Sequence, residues 1–312
     1  MTLERAQLGL VASVVATCQV SIFAAQVLLA VAAAVYGARW LLGRTTWPRL
    51  PLDAPVVAFA VWTLLSAAFS TNPLVAHQSA KKLVLFVLLY IAVDSATGVR
   101  GRERIVDAAL LGTLVLGTGA LAQYFFLGFD SLNSRPTSFL GHYMTASGLL
   151  MLGLVLASAR LILRPGWPAS APGPAPRYRT ALAVAAFAAS GWALVISRTR
   201  NAWLGAVAGL AVVAVLRAPR TLWLLGGAVA AIALLRPAPV MDRLTITDAS
   251  SVDRYYMWQA GIDMVRDRPV FGQGPGMILS RYPLYRWVEA PNARAPHLHD
   301  NALQIAAERG LP

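Results

Sequence analysis

The sequence is poor in charged residues and almost without cysteine. Only 13% of its 312 residues are charged, whereas soluble domains carry about 25%. Hydrophobic residues make up 57%, which excludes an ordinary soluble globular chain and indicates an integral membrane protein. The one cysteine, Cys18, lies in an apolar run, so an internal disulfide and a cysteine-based metal site are excluded.

Acidic residues are scarce: there are 14 Asp and Glu against 27 Lys and Arg, a net charge of +13. Such an excess is found in nucleic-acid-binding proteins, but the arginines here stand at the ends of apolar runs and form no continuous basic arm. We therefore expect no nucleic-acid partner. The N-terminal apolar segment has no small-residue cleavage site, so we predict a retained membrane segment rather than a signal peptide.

Apolar segments of helix length recur along residues 1–236. A spanning helix needs about 20 apolar residues. The first two segments form one run too long for a single span, and we predict a break near Thr17, Cys18 and Gln19. Prolines at positions 165, 168, 172, 174 and 176 predict a loop after the sixth segment. We thus predict an all-α, polytopic transmembrane bundle over 1–236, with nine spans, and a partly helical outer loop over 237–312. The predicted spans are 6–16, 21–42, 52–69, 79–93, 105–127, 139–163, 181–196, 202–216 and 222–235.

The distribution of arginine predicts the orientation in the membrane. Cytoplasmic loops carry an excess of Lys and Arg, and alternate loops of this chain have that excess, so they are predicted to lie inside together with the N-terminus. The same alternation places the segment 236–312 outside. The inside loops contain Arg39, Arg44, Arg49, Arg100, Arg102, Arg104, Arg160, Arg164, Arg177, Arg179, Arg217 and Arg220.

Five other cations fall at outer helix ends, against this charge rule. They are Lys81, Lys82, Arg135, Arg198 and Arg200. Each one alone is explained by a side chain that reaches the lipid headgroups. Several cations together on the disfavoured side favour an anionic partner there. Arginine suits a diphosphate, because its planar fork donates paired, charge-assisted hydrogen bonds.

One candidate anion site is the turn within residues 195–205. Arg200 stands at a predicted helix start, followed by small residues and Trp203. The free N–H groups and the positive dipole end of a helix N-terminus favour a phosphate oxygen. Arg198 is the alternative to Arg200.

A second candidate is the block 253–260, which contains Arg254 and Trp258. On a helix these residues lie one turn apart on one face, where they could contact a diphosphate and a sugar together. The alternative is an amphipathic interfacial helix with Trp258 at the membrane surface. The following Gly272-Gln273-Gly274-Pro275-Gly276 lacks the context of a nucleotide loop, so we predict a tight turn.

His299 is the candidate catalytic base. Its unperturbed pKa of about 6.5 leaves an imidazole mostly neutral at pH 7, ready to accept a proton. Asp300 follows it, then nine residues and Gly310. A carboxylate close to the ring would raise the pKa of His299 and hinder this role. The alternative is a structural histidine. His297 is set aside because it lies two residues farther from Gly310 than His299 does. His77 and His142 are further candidates on the outer side.

These blocks together resemble the O-antigen ligase family of bacterial membrane glycosyltransferases, which also includes O-antigen polymerases and protein O-oligosaccharyltransferases. The resemblance covers most of the chain in helix order. The block 135–142, with Arg135 and His142, is similar to a family segment that shapes the lipid-carrier cleft. Asp300 departs from the Asn, Ser or Gln usual there. The family fold has about twelve helices, so we expect the last helices to be missing from this sequence.

The resemblance implies an inner-membrane enzyme of lipopolysaccharide biosynthesis with its site in the periplasm. The donor would be a glycan on undecaprenyl diphosphate, and the acceptor lipid A core. His299 would be the base, and Arg200 and Arg254 would bind the diphosphate, with Arg198, Lys81, Lys82, Arg135, His142 and Trp258 as candidate supporting residues. We expect no metal or other cofactor.

O-antigen polymerase and protein O-oligosaccharyltransferase remain alternatives. A lipid or solute transporter is a non-enzyme alternative, which would need polar groups in the middle of its membrane spans.

Overall fold

The computed structural model describes residues 2–131, 134–162, 177–235 and 249–311. All regular secondary structure in these ranges is helical, which confirms the predicted all-α, polytopic class. Two 3₁₀ segments, Lys81–Phe86 and Pro219–Thr221, accompany the α-helices. In chain order the α-helices are α1 Thr2–Thr17, α2 Ile22–Leu41, α3 Asp53–Ala68, α4 Pro73–Ala80, α5 Val87–Ser95, α6 Gly98–Phe126, α7 Tyr143–Ile162, α8 Arg177–Ile196, α9 Arg200–Arg217, α10 Leu222–Leu235, α11 Ala249–Asp267, α12 Ile278–Tyr285 and α13 Asn301–Arg309.

Six helical stretches in the described ranges are long and apolar enough to cross a membrane. Eight of the nine predicted segments each coincide with one helix, and the fourth, 79–93, is divided among α4, the 3₁₀ segment Lys81–Phe86 and α5. The three segments outside the set of six, α1, α3 and α10, have 16, 16 and 14 residues. The predicted break near Cys18 is confirmed, because α1 ends at Thr17 and Ser21 caps α2. The proline-rich loop lies outside the described residues. The six stretches are Ile22–Leu41, Pro73–Ser95, Gly98–Phe126, Tyr143–Ile162, Arg177–Ile196 and Arg200–Arg217.

The chain forms two compact units, and the first joins Met1–Trp47 with Leu88–Leu244. Its helices approach closely through small residues. A Cβ atom at Gly117 of α6 would lie 3.0 Å from the backbone of Ala189 in α8, and one at Gly153 of α7 would overlap Thr113. Lipid gives helices no hydrophobic reason to associate, so close backbone packing and interhelical hydrogen bonds hold such bundles together.

A cluster of charges joins three helices at one end of this unit. Glu103 and Asp107 of α6 face Arg160 of α7 and Arg179 of α8. Arg179 lies 2.9 Å from Glu103 and 3.0 Å from Asp107, and Arg160 bonds to both carboxylates. The four side chains are only 16–20% exposed, so each charge depends on its partners more than a surface charge would.

The second unit joins Pro48–Val87 with Thr245–Pro312. Its core lies between α11, α12 and α13, where Met264, Ile278, Tyr282 and Leu298 are almost fully buried. The predicted division into a bundle over 1–236 and an outer loop over 237–312 remains a prediction about the membrane. The compact units divide the chain differently, because α3, α4 and the 3₁₀ segment Lys81–Phe86 fold with the C-terminal helices.

We predict that Glu103→Gln lowers the free energy of unfolding by about 1–3 kcal/mol, because it leaves two half-buried arginines short of one counter-charge. The midpoint of thermal unfolding in a fixed detergent measures the change. Arg102→Gln is the matched control on the same helix, because Arg102 is exposed, and we expect a change within about 0.5 kcal/mol. Equal shifts for the two variants would contradict the prediction.

Candidate functional site

Arg200 is the first residue of α9, as the sequence predicted. The turn before it is tightly ordered: Arg198 has a left-handed backbone with φ 51°, and the Thr199 hydroxyl donates to the Ser197 carbonyl over 3.1 Å. The Trp203 indole N–H donates to the Leu194 carbonyl at the end of α8, over 2.7 Å. The aromatic residue of this motif therefore fixes the turn. The first N–H groups of α9 lie in the same turn as both arginines, which is a favourable arrangement for an anion.

Arg135 and His142, two candidate supporting residues, meet at the start of α7 in the same unit. The Arg135 guanidinium lies 4.3 Å from the centre of the Tyr143 ring, and the His142 ring stacks on Tyr143 with 5.3 Å between centres. Gln123 of α6 accepts hydrogen bonds from the backbone N–H groups of Thr137 and Ser138, over 2.9 and 2.7 Å. The loop that carries Arg135 is thus tied to α6.

Arg254 and Trp258 lie on α11 in the second unit, one helical turn apart, which confirms their predicted shared face. Arg254 is partly buried, and the Trp258 ring is 42% exposed. The interior side of α11 carries the buried Met257 and Met264. The interfacial-helix interpretation of this face remains open.

His299 stands just before α13, with a left-handed backbone at φ 56°. Non-glycine residues adopt this conformation rarely, and it recurs at functional sites. Leu298 on one side is fully buried, and its N–H donates to the Gln304 side chain over 2.9 Å. The centre of the His297 ring lies 4.0 Å from that of His299. His297, set aside in the sequence analysis, therefore packs on His299, the candidate base.

Asp300 is the N-cap of α13. Its carboxylate accepts a hydrogen bond from the Leu303 N–H over 2.8 Å, which satisfies one of the free donors of the first turn. Asn and Ser cap helices in the same way. Asp300 therefore serves as the helix cap that Asn or Ser could also supply at this position.

The nine residues that separate Asp300 from Gly310 are the nine residues of α13. Gly310 is the C-cap, with φ 77°, and its N–H donates to the Ala306 carbonyl over 2.7 Å. A Cβ atom at Gly310 would overlap the Val270 carbonyl, and one at Gly272 would lie 2.6 Å from the Arg309 nitrogen. Two glycines are needed where these backbones touch.

The glycine-rich segment is the tight turn that the sequence predicted, and it binds the end of α13 through its backbone. The Gln273 and Gly274 N–H groups donate to the carbonyls of Ala307 and Glu308, each over 2.9 Å. The Gln273 side chain is fully buried and donates to the Tyr285 hydroxyl over 3.0 Å. That hydroxyl donates to Asp267 over 2.5 Å, and this hydrogen bond lowers the pKa of the Asp267 carboxyl.

Sequence reasoning missed Arg309. This residue lines a cavity of about 370 Å³ within the second unit, together with Lys82, Thr63 and Ser79. The exposed Lys81 is not part of the cavity wall. Arg309 directly precedes the motif glycine and ends α13, and this position was the only signal available in the sequence.

The predicted site residues are thus divided between the two units. Arg135, His142, Arg198 and Arg200 belong to the first unit, and Lys81, Lys82, Arg254, Trp258 and His299 belong to the second. Convergence of Arg200 with Arg254 and His299 remains a prediction. Within the described ranges, no group of three or more His, Cys, Asp or Glu side chains is arranged to hold a metal ion.

The helical fold, with six stretches long and apolar enough to cross a membrane, defines a polytopic membrane protein. The family model described as O-antigen ligase matches residues 185–312, which confirms the predicted family resemblance over this part of the chain. The matched part contains Arg198, Arg200, Arg254, Trp258 and His299. It indicates a membrane enzyme that transfers glycans. Comparisons with curated proteins and with solved structures gave no match.

We predict that Asp300→Ala lowers the free energy of unfolding by about 1 kcal/mol, whereas Asp300→Asn leaves it within a few tenths, because Asn caps helices as well as Asp does. Chemical denaturation of the purified full chain measures both variants. If Asp300→Asn were as destabilising as Asp300→Ala, the carboxylate charge and not the cap would be the stabilising feature.

Proposed function

We propose that the protein is a metal-independent glycosyltransferase of the bacterial inner membrane. It moves a glycan from undecaprenyl diphosphate to an acceptor hydroxyl, with lipid A core as the acceptor of an O-antigen ligase. The observation that carries the proposal is the family match over 185–312, because this part contains all three residues assigned to the chemistry. The active site faces the periplasm in this proposal, as the arginine distribution predicts.

In the proposed reaction, His299 accepts the proton of the acceptor hydroxyl as the oxygen attacks the anomeric carbon. The new carbon–oxygen bond forms while the bond from that carbon to the diphosphate oxygen breaks. The diphosphate leaves with the electron pair, and the anomeric carbon inverts, as the family resemblance implies. Neutral imidazole suits this task at neutral pH. The Asp300 cap fixes the helix start, and His299, with its left-handed backbone, directly precedes this cap, which supports the assignment.

Arg200 and Arg254 neutralise charge on the departing diphosphate in this proposal. The positive dipole end of α9 adds to the effect of Arg200. Arg198 lies in the same turn and remains the alternative to Arg200. Arg135, His142, Lys81, Lys82 and Trp258 are proposed to support binding of the lipid carrier.

Two related activities differ only in the acceptor. An O-antigen polymerase transfers to another lipid-linked repeat, and a protein O-oligosaccharyltransferase transfers to a Ser or Thr hydroxyl. The glycoform that accumulates in a deletion strain separates the three. The transporter alternative is disfavoured because the lining of a transport path needs polar groups at mid-span, whereas the long helices α7 and α9 carry their charged residues only near their ends.

We predict that His299→Ala, Arg200→Ala and Arg254→Ala each lower glycan transfer by about 100-fold or more, because each removes a group that acts in the transition state. Complementation of a ligase-null strain measures transfer, with protein abundance determined in parallel. Arg266→Ala is the control: its side chain is 76% exposed and pairs with Asp263 on the same helix, so we expect transfer within about twofold. Normal transfer by His299→Ala would exclude the proposed base.

We also predict that transfer by the purified protein persists after EDTA treatment, because the arginines supply the positive charge that a metal provides in other transferases. Transfer of labelled glycan from a lipid-linked donor is measured before and after chelation. Loss of activity that a divalent ion restores would contradict the metal-independent mechanism.

A further inference from the structure

The cavity of the second unit has a charged wall and an apolar wall. Lys82 and Arg309 contribute the charges, Thr63 and Ser79 the hydroxyls, and Phe59 and Phe86 aromatic surface. Its volume of about 370 Å³ lies within the range of ligand pockets. We propose that this cavity binds a phosphate that is esterified to a lipid, with Lys82 and Arg309 on the phosphate and the apolar wall along the first part of the hydrocarbon chain.

Arg309 is held in place before any ligand arrives. Its Nε donates to the Thr63 hydroxyl over 3.1 Å, its Nη1 bonds to Glu308 over 2.9 Å, and its guanidinium lies 5.2 Å from the centre of the Phe59 ring. A guanidinium has five N–H donors, and the two hydrogen bonds use two of them. A positioned side chain with donors to spare is well suited to a phosphate oxygen.

Charge balance around the cavity favours an anion. Glu308 is buried and its carboxylate offsets the charge of Arg309. Lys82 has no carboxylate partner in the described part of the chain, so the cavity wall retains one unbalanced positive charge. Lys82 is exposed and its long stem can move, so its ammonium can complete a two-cation site.

The helix geometry explains why the ligand should be a lipid rather than a free phosphate. Lys82 and Leu85 belong to the 3₁₀ segment Lys81–Phe86, in which residues three apart are eclipsed on one face. Leu83 and Phe86 form a second such pair, and all four line the cavity. This segment interrupts the candidate span Pro73–Ser95. A cation thus stands directly in line with aliphatic surface on a membrane helix, and Leu85 is 51% exposed.

This site deepens the proposed function and rests on it where the ligand is the polyprenyl carrier, because Lys82 is among the residues proposed to support carrier binding. A lipid-linked phosphate has two sources, the polyprenyl carrier and the ordinary acidic glycerophospholipids. Both present the same phosphate ester on an apolar chain. Binding is measured without a sugar donor or an acceptor. A failure to bind would therefore remove the carrier-binding function of Lys82 but leave the assignments of His299, Arg200 and Arg254, and a failure of transfer would leave the binding result standing.

The test titrates the purified full chain, in a neutral detergent, with undecaprenyl phosphate, dioleoyl phosphatidic acid or inorganic phosphate. Native mass spectrometry counts the bound molecules. We expect at least one lipid to bind, and Lys82→Gln to weaken its binding about tenfold, which corresponds to the loss of one charge-assisted hydrogen bond. Arg266→Gln is the matched control, because it removes one positive charge from an exposed side chain of the same unit outside the cavity, and we expect binding within about twofold.

Arg309→Lys is a second test variant, because it keeps the positive charge but loses the paired N–H donors of the guanidinium. We expect weaker lipid binding than in the unchanged chain. Tighter binding of undecaprenyl phosphate would identify the carrier as the ligand, and equal binding of both lipids would identify a general acidic-lipid site. Equal weakening by Arg266→Gln and Lys82→Gln, inorganic phosphate binding as tight as lipid binding, or no lipid binding would each overturn the proposal.

Discussion

The backbone contact between the glycine-rich turn and the end of α13 is the constraint on which the second unit depends. Gly272 and Gly310 lie where a Cβ atom would enter the opposite backbone, and the N–H groups of Gln273 and Gly274 close the contact with two hydrogen bonds. This contact fixes α13 at its C-terminal end, and the Asp300 cap fixes its N-terminal end. His299 at one end and Arg309 at the other are therefore held by one short helix.

That helix links the candidate base to the cavity. Arg309 faces Thr63 on α3, and the Trp62 indole N–H donates to the Arg309 carbonyl over 2.8 Å. Ser66 of α3 donates to the Phe271 carbonyl over 2.7 Å, and the Phe69 ring stacks on Phe271. An apolar helix near the start of the chain is thus part of the same unit as the histidine block. Any movement of α13 would displace both the imidazole and the cavity wall.

The first unit is held together differently. Its helices meet through glycine and alanine, and its half-buried charges are paired. Arg39, Arg160 and Arg179 were interpreted from the sequence as markers of orientation, yet each forms an ion pair with a carboxylate on another helix. These arginines can therefore mark the orientation and also join helices. In both cases a cation near a helix end is stable only with a headgroup or a counter-charge beside it.

The sequence by itself determined the helical class, the break near Cys18, the start of α9 at Arg200 and the shared face of Arg254 and Trp258. Each follows from hydropathy, from capping or from the 3.6-residue period, which are local properties of the chain. It also carried the family resemblance, because short motifs preserve residue type and spacing. Only the tertiary structure showed that the residues between Asp300 and Gly310 form one helix, and that Gly272 and Gly310 allow its C-terminal end to contact the glycine-rich turn. It also decided that Asp300 is a cap, that His297 packs on His299 and that Lys82 and Arg309 share a cavity. These features depend on contacts between residues up to 246 positions apart, and no local pattern records which distant backbone or side chain a residue will meet.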